Sequence, residues 1–400
     1  MAAPFRRSQL IEVGVFFLRL GATAFGGPAA HIGLMEQELV HRRQWLTREQ
    51  FLDLVGACNL LPGPSSSQVA MSIGFHRGGL LGLVAAGVCF LLPSFGATLA
   101  LAWAYLHYGT LPQATGLLYG TKPVMVAIVV QALWNLRRAA FPAASVSGDF
   151  KAQQPIHWLL PVLGIACLVA SFAGVPPMVV LISAGVLALA ATWLSVDRPR
   201  SALMAWLPGV TTGIGPYSMG FAVSPMAGLL SLTLVFLKLG VVVFGSGYVL
   251  LAFLKADLVD RLHWLTETQL LDAVTAGQIT PGPVFTTATF IGYLLHGFPG
   301  AILATLAIFL PSFFMVALVG WLAPRIRRSR LAGSFLDGVN VAALALMAVV
   351  VAQLGRSALI DLVSWGLTLV STGLLVRYRV NATWLILGGA VVGLLFRGLH

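Results

Sequence analysis

Charge is scarce in this sequence. Only 9% of its 400 residues are Asp, Glu, Lys or Arg, against roughly 25% in an ordinary soluble chain. Acid is scarcest, with 13 Asp and Glu against 24 Lys and Arg. A chain that is 58% hydrophobic, with a mean hydropathy of +0.90, lacks the polar residues to cover a water-facing surface. This excludes the soluble classes and predicts an all-α polytopic membrane protein. Cysteine is also rare. Cys58, Cys89 and Cys167 show no CxxC spacing, which argues against a cysteine-based metal or redox site. HExxH is missing, and the apolar runs hold no close pair of acids facing a His, so metal and cofactor chemistry are not expected. Long basic tracts are missing too. The Lys and Arg stand singly or in pairs, so the net charge of +11 reads as an orientation signal and not as a nucleic-acid surface. The start, "MAAPFRRSQLIEVGVFF", has no small-residue cleavage site and is expected to be an uncleaved first span.

What the sequence has in plenty is apolar runs of spanning length, roughly 17–25 residues. One series lies near 9–30, 51–75, 79–105, 116–136, 157–173 and 177–195. A second lies near 226–250, 269–294, 298–322, 332–353, 358–376 and 380–397. The Gly- and Pro-rich 202–225 stands between them as a candidate extra span, giving 12–13 segments.

The two series are copies. "FLRLGATAFGG" at 17–27 matches "FLKLGVVVFGS" at 236–246, and "RRQWLTREQFLDLVGACNLLPGP" matches "RLHWLTETQLLDAVTAGQITPGP". Over 16–64 against 235–283, 20 of 49 positions are identical, at a constant offset of 219. One deletion later, "FLLPS" at 90–94 aligns with "FLPS" at 309–312. Such a repeat governs every later inference. It divides the chain into an N-terminal repeat, 1–200, a connecting segment, 201–225, and a C-terminal repeat, 226–400. Basic loops in one half correspond to neutral loops in the other: Arg137 and Arg138 face only Arg356, and neutral 105–115 faces Arg325, Arg327, Arg328 and Arg330. Equivalent loops then lie on opposite sides, which predicts an inverted repeat. The 36–49 loop, with Arg42, Arg43 and Arg48, dissents, since this scheme puts it outside.

Each copy carries one Pro-Gly-Pro: Pro62, Gly63, Pro64 and Pro281, Gly282, Pro283. Proline removes a backbone donor and clashes with the preceding turn, so the pair stops a helix. Within lipid such a break is tolerated where it is buried in protein or lines a wet cavity. The helix that follows begins with unpaired N–H groups and a positive dipole end, an anion site in the making. Ser65, Ser66, Ser67 and Gln68 follow the first break, and Thr286 and Thr287 the second. A single break could be a plain kink; two at equivalent positions, each trailed by hydroxyls, point to a substrate path. Asn59 and Gln278 precede the breaks and are candidates to line the same cavity.

Arg19 and its counterpart Lys238 lie inside spans, where charge is costly and marks function. They are candidate anion-holding groups. Arg19 has Glu12 as an alternative partner, whereas Ser231 replaces that acid in the second copy. Asp53 and Asp272 also coincide. Each is either a helix-dipole partner or a proton-carrying carboxylate for coupling. Thr47 and Thr266 read as helix caps, and Trp45 and Trp264 as interfacial anchors. Gly26 and Gly245 would let helices pack closely. Lys122 in "GTKPVM", opposite Asn340, is a weaker candidate.

These motifs resemble the chromate ion transporter family in its long, two-domain form. The likeness rests on "FGGPAAHIGLMEQELV", "WLTREQFLDLVGACNLLPGP" and "FLLPS", and on their second-half copies, and covers nearly the whole chain. It departs at "FGSG", where the first half has "FGGP". The resemblance implies a secondary transporter that exports chromate across the inner (cytoplasmic) membrane, with sulfate as a competing analogue. The expected partners are that oxyanion and membrane lipid; a homodimer is left open. The alternatives are a sulfate or other oxyanion transporter, a channel, and a membrane-embedded enzyme acting on lipid phosphates.

Overall fold

The computed structural model of the chain describes residues 7–25, 27–59, 61–109, 111–140, 159–195, 228–244, 249–326, 330–378 and 380–397. The connecting segment 202–225, and with it the candidate extra span, lies outside these, as do Gly26 and Gly245. Among the described residues the elements are helices. In the first half these are α1 (Arg7–Thr23), α2 (Gly27–Glu36), α3 (Arg48–Cys58), α4 (Ser65–Tyr108), α5 (Pro112–Ala140), α6 (Leu159–Phe172) and α7 (Pro177–Ser195). In the second they are α8 (Leu229–Val242), α9 (Val249–Leu254), α10 (Glu267–Ile279), α11 (Thr287–Ile326), α12 (Arg330–Ala358), α13 (Leu362–Tyr378) and α14 (Ala382–Arg397). π-Helical segments, Gln37–Arg42 and Lys255–Arg261, extend α2 and α9.

The duplication reaches local geometry. Thr47 and Thr266 both cap a helix and form capping boxes with Gln50 and Gln269, the arrangement their sequence predicts. Gln44 and His263, two residues past the π segments, share φ of 52°.

Several apolar runs that read as single spans are hairpins. α4 breaks at Gly78–Gly79 and α11 at His296–Gly297. A Cβ on Gly74 would strike the Gly82 carbonyl, and one on Gly292 the Gly300 carbonyl, so each break folds its helix back on itself. The short limb of α4, 65–77, also lies beside α3, since Cys58 Sγ and Ser72 Oγ are 3.1 Å apart. Residues 48–77 therefore form a helical hairpin with Pro-Gly-Pro at its tip. Its limbs are about 16 and 20 Å long at 1.5 Å per residue, and a hydrocarbon core is about 30 Å thick. The tip ends inside the bilayer. Residues 267–295 repeat the arrangement, with Gly277 against Thr287.

α1 packs along α4, and the chain after α2 returns to α1. The Arg43 guanidinium lies 5.0 Å over the Phe16 ring, and the Trp45 ring is tilted against Phe16 at 5.5 Å. Arg77, at the far end of the first hairpin, reaches Glu12 at 3.2 Å and lies 4.6 Å over Trp45. Arg42, Arg43 and Arg77 thus share one face of the molecule. Residues 36–49 and Arg77 therefore lie on the same side, because 51–75 returns where the sequence reads as a single crossing. Hydropathy measures the length of a run but not its return, and two limbs joined by a turn read as one span.

The long limb of α4 then crosses to the other face. Thr98 donates to Thr280 Oγ1 at 3.2 Å, and Tyr105 to Asp272 Oδ2 at 3.1 Å. α10 therefore runs antiparallel to this limb. The second hairpin opens where the limb ends, and the first opens where it begins. The hairpins enter from opposite faces, and the repeat is inverted.

Around this centre, α5 packs on α12, and each recruits a helix pair from the other half. α13 and α14 pack on α5, and α6 and α7 on α12. Small residues make this possible without a hydrophobic drive in lipid. A Cβ on Gly120 would overlap the Gly389 carbonyl, one on Gly393 the Gly116 carbonyl, and one on Gly338 the Ala184 carbonyl. The halves are sequence repeats but are interlaced in space.

If the repeat is inverted, Arg42→Cys and Arg261→Cys should label from opposite sides of the membrane. An impermeant maleimide applied from outside is expected to reach position 261 and spare position 42, which carries the basic, inner-side signature. Labelling of both from one side would overturn the topology.

Candidate functional site

Each Pro-Gly-Pro tip is completed by the opposite half. The central glycines adopt φ of +112° at Gly63 and +96° at Gly282, which favours glycine over any other residue. The Gly63 N–H donates to Val243 O, just past α8, at 2.6 Å, and the Gly282 N–H to Ala24 O, just past α1, at 2.9 Å. Helix ends that would leave bare polar groups in lipid satisfy one another reciprocally.

The serines of the "PS" pairs lock the same contacts. Ser94, on the long limb of α4, donates to Thr286 Oγ1 at 3.0 Å. Ser312, its counterpart on α11, accepts from Gln68 Nε2 at 3.3 Å. Ser94, Thr98, Thr280 and Ser312 are buried site residues to which the sequence alone assigns no role. The signal was present in the duplicated Pro-Ser of "FLLPS" and "FLPS".

The expected anion-facing hydroxyls sit at these tips, and the structure shows what they do. Ser66, Ser67, Gln68, Thr286 and Thr287 are buried, and Ser65 is half-buried. Thr286 Oγ1 donates to Pro283 O and Thr287 Oγ1 to Val284 O, both at 2.8 Å. Their protons are thus committed to their own helix start. Ser67 Oγ and Gln68 Oε1 have no hydrogen-bond partner although buried. Gln278 is buried, with Nε2 unpartnered beside a small cavity that it lines with Thr287. Asn59, its counterpart, is exposed, so the two do not share a cavity in this conformation.

Arg19 and Lys238 each lie five residues before the carbonyl that meets the opposite tip. Their electrostatics differ from expectation. Lys238 has an acidic partner after all: Asp257 accepts from Nζ at 2.8 and 3.0 Å and also lies 3.4 Å from Arg261. The acid comes from 19 residues downstream, beyond any local pattern. One carboxylate between two cations leaves the cluster a net charge of +1. Glu12 is not the partner of Arg19, because it pairs with Arg43 at 3.7 Å and Arg77 at 3.2 Å. Arg19 is exposed on α1 and has no ion-pair partner among the described residues.

The two aspartates sit in different surroundings. Thr47 and Thr266 already cap these helices. Asp272 is buried and paired with Lys122 Nζ at 3.5 Å as well as with Tyr105. Lys122 is thus part of a specific pair. Asp53 is half-buried on α3.

Substituting either tip glycine should be costly. A Cβ on Gly63 would meet Ser312 Oγ, and one on Gly282 would meet Ser94. Strain of this kind costs about 1–3 kcal/mol. Gly63→Ala and Gly282→Ala should lower the yield of monodisperse protein in detergent and the transport rate. Gly33→Ala, where the added Cβ meets no atom, should leave both unchanged.

A family model described as "Chromate transporter" matches residues 11–189 and again 230–394. A "Chromate transport protein" of Cupriavidus metallidurans is 31% identical over 387 residues, covering 96% of this chain and 92% of the relative. A "Probable chromate transport protein" of Synechococcus elongatus is 30% identical over 403 residues, covering 97% and 96%. A "Chromate transport protein" of Pseudomonas aeruginosa is 28% identical over 396 residues, covering 94% and 90%. No solved structure matches. With helices that span a membrane, an inverted pair of repeats and a family match in each half, the chain belongs to the chromate transporter family.

Proposed function

We propose that the protein exports chromate across the inner (cytoplasmic) membrane by alternating access, the dianion passing between the two Pro-Gly-Pro tips. The observation that carries this reading is the reciprocal pair of bonds, Gly63 to Val243 and Gly282 to Ala24. They set two helix N-termini from opposite faces at the pseudo-two-fold centre, the arrangement that inverted-repeat transporters use for substrate.

The chemistry suits a tetrahedral oxyanion. The first N–H groups of α4 and of the turn at 284–286 supply donors and positive dipole ends. Ser65, Ser66 and Ser67 on one side add neutral donors that bind without trapping, while Gln68, Thr286 and Thr287, their own protons bonded to the protein, shape the path beside them. Arg19 and the net-positive Lys238 cluster supply the charge that offsets desolvation of a dianion. An inside-negative potential contributes about 2.3 kcal/mol per charge per 100 mV, which favours outward movement. Donors of this kind read charge and tetrahedral shape, so sulfate is the expected competitor. In this reading residues 1–200 and 226–400 act as two functional repeats joined by 201–225.

Labelled chromate should accumulate in everted vesicles, and excess sulfate should slow it. No accumulation there, with sulfate carried instead, would reassign the substrate. Arg19→Gln and Lys238→Gln should each cut the rate by roughly 30-fold or more, from about 2–5 kcal/mol for removing a charge beside a bound anion. Arg19→Lys should be milder, since charge survives and only the planar fork is lost. Asp257→Asn separates the roles of Lys238, because it frees Nζ and should keep transport. Equal loss in Asp257→Asn and Lys238→Gln would make the pair structural.

Replacing Ser66 and Thr287 together by Val should weaken transport while the protein still reaches the membrane. Unchanged kinetics in that double variant would return the tips to a purely architectural role.

A further inference from the structure

The halves match in sequence but not in exposure. Leu52 on α3 is 52% exposed, whereas its counterpart Leu271 on α10 is 2% exposed. Gly56 and Asn59 continue the open face of α3, one and two turns on. Their counterparts Thr275 and Gln278 are buried. Val249–Leu254 of α9 is buried throughout, while Ile32, Gly33 and Leu34 of α2 are not. The covered faces of α9 and α10 pack against α5, α12 and α14. The molecule is therefore shut on the Asp272 face and open on the Arg77 face, one of the two conformations an inverted repeat can adopt.

One polar cluster ties the shut face together. Asp272 on α10 is bonded to Tyr105 of α4 and paired with Lys122 of α5, so three helices converge on one carboxylate. The Tyr105 ring is also fixed 5.3 Å from Phe290 on α11. From the other elements around α10 no ionisable group touches Asp272 among the described residues; Glu267, five residues earlier, turns to Lys255. The carboxylate is not saturated. Among the described residues its Oδ1 accepts no hydrogen bond, and Lys122 Nζ lies 3.5 Å away. The Lys122 side chain, 20% exposed, leads from this oxygen toward the surface. In the repeat, Asn340 and Ala323 stand at the positions of Lys122 and Tyr105.

We infer that Asp272 is a proton-binding site that latches the outer gate. Charged, it holds α10 to α5 through Lys122 and to α4 through Tyr105. A proton arriving from the outer side adds at Oδ1, removes the charge that Lys122 answers, and frees α10 to swing away. The proton is carried at Asp272, the carboxylate that Tyr105 and Lys122 hold. The inference rests on the alternating-access reading but not on which anion is carried.

The test is thiol accessibility of Thr275→Cys in the full-length protein with Cys58, Cys89 and Cys167 replaced by Ala. Right-side-out vesicles are treated with an impermeant maleimide at pH 7.5 and 5.5, and rates are normalised to Arg261→Cys at the same pH. Position 275 should label slowly at pH 7.5 and roughly tenfold faster at pH 5.5, the change in gate equilibrium from losing about 1.4 kcal/mol. Asp272→Asn should label fast at both. Lys122→Asn should also label fast at pH 7.5 and serves where Asp272→Asn folds poorly. Asn59→Cys, probed from the inner side, should slow as position 275 quickens. Slow labelling of position 275 in both variants would overturn the latch. A pH response that survives in Asp272→Asn would overturn the proton site. Because the readout is labelling, a failure to carry chromate leaves the latch standing, and a failed latch leaves chromate transport untouched.

Discussion

A broken helix inside lipid must find partners for its bare N–H and C=O groups, because no water is there to supply them. That constraint organises this protein. Pro-Gly-Pro ends two helices midway through the bilayer, and neither half holds everything needed to satisfy its own tip. The Gly63 N–H finds a carbonyl past α8, and the Gly282 N–H finds one past α1. From that exchange follow the antiparallel long limbs of α4 and α11, the serines reaching across to Thr286 and Gln68, and the close approach of the halves at one central point. Proline supplies the break, glycine the positive φ, and the opposite half the closure.

The sequence carries much of this in plain form. An offset of 219 residues revealed the duplication, and the loop charges its inversion. Thr47 and Thr266 sit three residues before Gln50 and Gln269, and both capping boxes form. These features are local or periodic, so pattern reading reaches them. Chain direction within an apolar run is not periodic. Residues 51–75 are apolar enough to cross, yet they turn back at Gly63, because a partner from the other half makes the turn affordable. Ion pairs escaped for a related reason. Asp257 lies 19 residues from Lys238, and Asp272 lies in the other half from Lys122, so only packing joins them.

Charge is used in two ways. Near the Arg77 face it stitches short elements: Glu12, Glu38 and Glu36 hold Arg43, Arg42 and Arg48 around the first hairpin. Deeper in, two acids decide what a cation does. Asp257 tempers Lys238 without cancelling the cluster, and Asp272 occupies Lys122. Apart from Glu38, the acids named here each bridge two or more elements of the fold.

The exchanged helix pairs bear on how the chain is built. Gly120 waits for Gly389, which leaves the ribosome 269 residues later. Until then α5 presents a bare backbone groove to lipid, in a membrane where only close contact, and no hydrophobic drive, will hold helices together. Closing so long a loop is slow, and the first half must persist half-assembled while the second is inserted upside down beside it. Any chain holding only one such half would meet the same groove with nothing of its own to fill it. It would have to borrow the equivalent pair, α6 and α7, from a second copy inserted in the opposite orientation.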